Sequence, residues 1–249
     1  MRQQFAGTCP KDTSGNDINE DRFAVDAANG RLALCDGASE SFDSARWADI
    51  LATKYVADPA VSTRWLAAAE AQYAAAHDFA SMTWSRQAAY ERGSFATLLG
   101  VEYKVQHNTV EILAVGDSLA VLVDTDKINK CWPFDDPERF REHPTLLSTL
   151  PMHNAFLSET DFWTKRGTTF HLTGLRKPNL LCMTDALGDW FLRQAAEIAV
   201  PRLLALSTQE DLDHLVVEER EAGRMRIDDT TLLVFSFSTT EAARGVSVS

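Results

Sequence analysis

The chain has 249 residues, 45% of them apolar and 24% charged, so a sizeable core can form and global disorder is excluded. With 24 Lys and Arg against 36 Asp and Glu, the formal charge of −12 argues against nucleic acid or an anionic membrane surface as the main partner. Of the acids 21 are Asp, a short, hard oxygen ligand, so their clustering is the first thing to trace.

In chain order, Arg22–Asp26 alternates around Phe23 and Val25. Arg31–Cys35 is an apolar run after the turn signal Asn29-Gly30, and the two segments read as a hairpin. A helix follows, with Asp43 or Ser44 as its cap and Trp47, Ile50, Leu51 and Tyr55 at helical spacing; Asp58-Pro59 ends it. Residues 62–91 are Ala-rich and read as helical, with Trp65, Leu66, Ala69, Tyr73 and Ala76 on one face. Strands are expected over 94–103, Thr109–Val115 and Leu119–Asp124, the last two read as a hairpin with a tight turn at Gly116-Asp117-Ser118.

Residues 127–170 are rich in Pro and aromatic side chains and show little periodicity, which marks an inserted flap or small subdomain. Its Trp132, Phe134, Phe140, Phe156, Phe162 and Trp163 are expected to anchor it to the body. A strand over 179–183, helices over about 188–206 and 210–222, and a strand over 230–237 complete the chain before a polar tail at 241–249. Strands and helices do not alternate strictly, so an α+β layered fold is expected, with residues 1–240 as a single domain.

Residues 1–20 are polar, and no run of 18 apolar residues occurs, so a cytoplasmic protein is expected. Cys9, Cys35, Cys131 and Cys182 are widely spaced without a CxxC pair, which suits reduced thiols. The histidines lack HxH or HExxH spacing, so any bound metal must take oxygen ligands.

Acids stand repeatedly at strand ends. Glu20-Asp21 precedes Phe23, and Asp36-Gly37 ends Leu32-Ala33-Leu34-Cys35. Asp117 lies in a tight turn, Asp185 ends Leu180-Leu181-Cys182-Met183 with Asp189 four residues on, and Asp228-Asp229 leads into Leu232-Leu233-Val234-Phe235. One such Asp is an ordinary cap or turn residue. Several together would repel unless protonated or neutralised. Oxygen-only ligation selects Mg²⁺ or Mn²⁺, and a pair of such ions would activate water and clamp a phosphoryl group.

Six pieces carry a resemblance: Asn19-Glu20-Asp21-Arg22-Phe23, Leu34-Cys35-Asp36-Gly37-Ala38, Gly93-Ser94-Phe95-Ala96-Thr97, Val115-Gly116-Asp117-Ser118, Thr184-Asp185-Ala186-Leu187-Gly188-Asp189 and Asp228-Asp229-Thr230-Thr231. In this order, over essentially the whole chain, they resemble the type 2C metal-dependent protein phosphatases, the PPM family, and bacterial members especially. The resemblance implies a four-layer αββα sandwich, two antiparallel β-sheets flanked by helices, with a binuclear metal centre at one end. It implies Asp36 as the bridging ligand, Asp185 and Asp228 on one ion, and Glu20 with the Gly37 carbonyl on the other. Asp21 would sit nearby, and Asp117 and Asp189, with Asp185, could hold a third ion. It further implies two Mn²⁺ or Mg²⁺ ions, with a third in some members, a phosphoprotein substrate, and hydrolysis of phospho-Ser/Thr by metal-activated water without a phosphoenzyme. The flap would influence substrate choice.

Two positions depart from the family pattern. Asn16 stands where many members carry a phosphate-binding Arg, and Arg22, or less directly Lys11 or Arg46, is the candidate stand-in. Ala186 stands where Gly is usual after the aspartate. Asn16 keeps two alternatives in view: a PPM-fold binding or regulatory module with little turnover, and a small-molecule phosphomonoester hydrolase.

Overall fold

The long central strands are apolar on both faces, and that decides the layers. The computed structural model describes residues 1–12 and 18–238; Asn16 and the expected 241–249 tail lie outside them. In chain order the elements are β1 (Arg2–Cys9), β2 (Arg22–Asp26), β3 (Arg31–Cys35), α1 (Ser44–Ala57), α2 (Thr63–Ala75) and α3 (Trp84–Glu91). Then come β4 (Phe95–Ala96), β5 (Leu98–Lys104), β6 (Thr109–Val115), β7 (Leu119–Asp124), β8 (Lys127–Trp132), β9 (Leu147–Ser148), α4 (Phe162–Arg166) and β10 (Gly167–His171). The last are β11 (Pro178–Met183), α5 (Asp185–Arg193), α6 (Ala196–Leu204), α7 (Gln209–Glu221) and β12 (Thr230–Ser236).

Two five-stranded antiparallel sheets form, in the orders β1-β12-β11-β7-β8 and β10-β6-β5-β3-β2, beside a small β4-β9 pair. Side chains alternate between the two faces of each strand, so one apolar run serves two cores. Leu180 and Cys182 of β11, Leu233 and Phe235 of β12, and Leu32 and Leu34 of β3 meet in the core between the sheets. Leu181, Met183, Leu232 and Val234 face the other way, against Trp190, Val200, Leu212 and Val216 of α5, α6 and α7. Ala33 and Cys35 pack outward on Trp47, Leu51 and Tyr55 of α1 and Trp65 of α2. The result is α+β: two antiparallel sheets with helices on both outer faces.

Four local readings are corrected. Residues 2–9 form β1, which hydrogen-bonds along β12; its polar residues hid it, because only Phe5, Gly7 and Cys9 are buried. Residues 62–91 are not one helix but α2 and α3, interrupted at Ala76–Thr83, and Ala76 is exposed. The Gly116 turn does not close a hairpin, since β6 and β7 belong to different sheets and the turn carries the chain between them. Both ends of the expected flap are strands: β8 pairs with β7 and β10 with β6, which leaves 133–166 as the excursion.

Within the excursion Phe140 and Phe162 are buried, while Trp163 is 52% exposed. Asp43 does occupy the cap position of α1, but in a left-handed conformation without a capping bond. Its carboxylate pairs instead with His77 at 2.8 Å and Arg46 at 3.2 Å.

Candidate active site

Antiparallel register brings the acidic segments to one end of the sandwich. In sheet one the end of β11 lies beside the start of β12, with Met183 opposite Leu232, so Asp185 and Asp228 emerge together. In sheet two Arg22 lies opposite Cys35, so Glu20-Asp21 enters where Asp36 leaves. The Gly116-Asp117-Ser118 turn links the sheets at the same end, since Val115 pairs with Leu98 and Leu119 with Met183.

Asp36, Gly37, Asp117, Asp185 and Asp228 line one cleft of about 220 Å³, together with Ala38, Ser39 and Thr97. Phe140, Glu142, Pro144 and Leu146 of the excursion form its other wall. Two glycines shape it. A Cβ on Gly37 would lie 2.9 Å from the backbone of Ser44, so a larger residue would push α1 away. Gly116 has φ +110° and touches Thr97, a conformation that a side chain would strain. Thr97 holds the cleft floor: its Oγ1 accepts the Asp36 N–H at 2.8 Å, and its own N–H donates to the Asp36 carbonyl at 2.8 Å.

The carboxylates are crowded and poorly hydrated. Burial pushes the Asp36 carboxyl well above the usual range, and repulsion from Asp21, Asp228 and Asp117 adds to it. Burial likewise raises Asp117, against the pull of Arg226. Asp21 is buried beneath the cleft; its Oδ2 accepts hydroxyl bonds from Thr184 at 3.0 Å and Thr231 at 2.7 Å, yet burial still pushes it up to about 7.

Other sequence-predicted residues have different partners. Glu20 accepts from Ser44 Oγ and pairs with Lys11 Nζ at 2.8 Å, and Lys11 also reaches Ser39 on the cleft wall at 2.9 Å. Asp189 pairs with Arg193 at 2.9 Å, and Arg193 continues to Glu138 at 3.0 Å, so Asp189 ties α5 to the excursion and does not line the cleft. Arg22 donates from Nη1 to the carbonyls of Asn19 and Asp21, both at 2.6 Å, and does not line the cleft. Arg46 lies on the exposed face of α1 beside Asp43. Ala186 is the second residue of α5 and lacks a positive φ, so alanine suits that turn.

Sequence reasoning missed two residues. Asp229 is buried and clamps the N-terminal segment, accepting the backbone N–H of Lys11 at 2.7 Å and of Glu20 at 2.6 Å. Its doublet with Asp228 was the available signal. Arg226 pairs with Asp185, and nothing in its local sequence marks it.

The donor set fits a divalent cation of the oxygen-preferring kind. All charged donors are carboxylates, and among the described residues the buried Asp21 Oδ1 and Asp185 Oδ1 have no hydrogen-bond partner. Among the described residues no three acids already converge as a finished cage, with Asp185 held by Arg226 and Glu20 by Lys11. An ion that took Asp185 or Glu20 would have to displace Arg226 or Lys11.

No family model matches the chain, and no curated protein matches it. Solved structures do. The photosystem II phosphatase PBCP superposes with a TM-score of 0.57 at 15% identity, over 94% of this chain and 98% of that one. Serine/threonine phosphatase Stp1 from Staphylococcus aureus gives 0.57 at 18% identity, over 94% and 95%. The Mycobacterium tuberculosis serine/threonine phosphatase PstP/Ppp gives 0.56 at 17% identity, over 94% and 98%. At such identities the likeness speaks for the fold alone: this chain has the fold of the type 2C, PPM-family protein phosphatases.

Proposed function

We propose that the protein is a metal-dependent phosphoprotein phosphatase that hydrolyses phospho-Ser/Thr. The observation that carries this reading is the convergence of Asp36, Asp117, Asp185 and Asp228 on one cleft at the end of a phosphatase-type sandwich. Asp36 would serve both ions, Asp185 and Asp228 one, and Glu20 with the Gly37 carbonyl the other, with Asp21 behind them. Asp117, which lines the cleft, and Asp189, which does not, are the candidates for a third. Bound Mn²⁺ or Mg²⁺ supplies Lewis acidity, lowering the pKa of an attacking water and neutralising the phosphoryl oxygens.

The chain's own residues do the rest. Thr97 fixes the backbone of Asp36 so that its carboxylate faces the cleft. Thr184 and Thr231 orient Asp21, and Asp229 holds the backbones of Lys11 and Glu20. Phe140, Pro144 and Leu146 narrow the cleft and exclude water from one wall. No Cys or Ser is needed as nucleophile: buried Cys35 and Cys182 are packed inside apolar strands, and burial pushes their thiols up. Free cysteines suit the cytoplasmic location we assign.

The test is hydrolysis of a phosphopeptide panel, with sugar phosphates and nucleotides alongside. Turnover is expected on phosphopeptides only with added Mn²⁺ or Mg²⁺, and Asp36→Asn is expected to cut it by at least about a hundredfold. Full activity in excess chelator sinks the reading. Preference for small phosphomonoesters redirects it, and metal binding without turnover leaves a binding module.

A further inference from the structure

Among the described residues, Arg226 is the guanidinium paired with a cleft-lining aspartate. It sits between α7 and β12, two residues before Asp228, on a connection anchored by buried Met225 and buried Asp229. Its guanidinium pairs with Asp185 on the cleft wall, and its charge reaches Asp36 and Asp117 as well. The side chain is 36% exposed, so part of it faces solvent.

The neighbouring arginines are committed elsewhere. Arg220 donates to the carbonyls of Pro10 and Asp228 and to Thr230 Oγ1. Arg202 and Arg224 are held by Glu219, Arg193 by Asp189 and Glu138, and Arg22 by two backbone carbonyls. Lys11 is another cation beside the cleft, but an ammonium is a point charge, whereas a guanidinium presents the planar fork that matches phosphate oxygens in pairs.

We propose that Arg226 grips the phosphoryl group of the substrate at this site. Asp185 holds the guanidinium in the ion-free protein. When a divalent cation takes Asp185, the pair opens and the guanidinium turns to the phosphoryl oxygens. The cation and Arg226 would thus compete for one carboxylate, and a displaced Arg226 becomes the anion receptor. The inference rests on the phosphatase reading for its substrate, but not for its measurement.

Two binding titrations test it, with Arg226→Ala, Arg226→Gln and Arg226→Lys compared with wild type after each is shown to melt cooperatively. In calorimetry of the Mg²⁺-loaded protein, inorganic phosphate is expected to bind about tenfold more weakly to the Ala and Gln variants, with Lys in between. In the ion-free protein the Ala and Gln variants are expected to bind Mg²⁺ more tightly than wild type, because the internal competitor is gone. With a phosphopeptide, KM is expected to rise more than kcat falls. Unchanged phosphate affinity in both the Ala and Gln variants, or no phosphate binding by the wild type, overturns the inference. Absence of phosphopeptide turnover with Arg226-dependent phosphate binding would remove the phosphatase reading and leave this one standing.

Discussion

Asp21 concentrates the chemistry of the site in one side chain. Its Oδ2 takes two threonine hydroxyl bonds, while buried Oδ1 has no partner. Burial outweighs the hydroxyl bonds and pushes the group up to about 7. The folded carboxyl therefore binds its proton more tightly than the unfolded one, whose pKa is about 3.9. Between those values the folded state carries more protons, so this group's contribution to stability falls as pH rises. In chelator, Asp21→Asn is expected to melt above wild type at pH 8, with the gap closing towards pH 4. With Mg²⁺ the order should reverse, because the cation then rewards the charge. Parallel melting curves across this pH range would refute the assignment. Glu20-Asp21 was legible in the sequence as an acidic pair before a strand. The threonines beneath Asp21 were not, because Thr184 and Thr231 are distant in sequence and meet it only through β11 and β12.

At the scale of elements, Glu219 locks the helical layer over sheet one. Its side chain is 1% exposed and receives Trp190 Nε1 of α5 at 2.8 Å, Arg224 at 2.6 Å and Arg202 of α6. The Arg224 hydrogen bond leads in holding the carboxyl down to about 2, against the cost of burial. The stability this contributes is present above about pH 4.5, the unfolded range, and is lost as pH falls towards 2. Glu219→Gln is expected to cost about 2 kcal/mol at pH 7, below a fully buried pair because both arginines reach solvent. Urea denaturation at pH 7 and pH 3 checks it, and the difference should shrink at the lower pH. Elements with strong periodicity, such as α1 and the hairpin of β2 and β3, were readable from the sequence. β1 was not, because an edge strand that turns only alternate residues inward shows little apolar signal.

Across the whole molecule, the formal charge of −12 divides between the site and the surface. Two divalent ions would add +4 and bring it to −8, with the gain concentrated where four aspartates share one cleft. Mn²⁺ is therefore expected to raise the melting temperature in a concentration-dependent way, and Asp36→Asn to abolish most of that rise. An equal rise in the variant would place the ions elsewhere. The sequence by itself determined the α+β class, the apolar strands and the acids at their ends, because strand patterning and turn chemistry are local properties. Only the tertiary structure decided which acids meet. Antiparallel register sets Asp36, Asp117, Asp185 and Asp228 around one cleft, whereas Asp189 turns to Arg193. It also supplied Arg226, whose role depends on lying across from Asp185 and on nothing that its own neighbours encode.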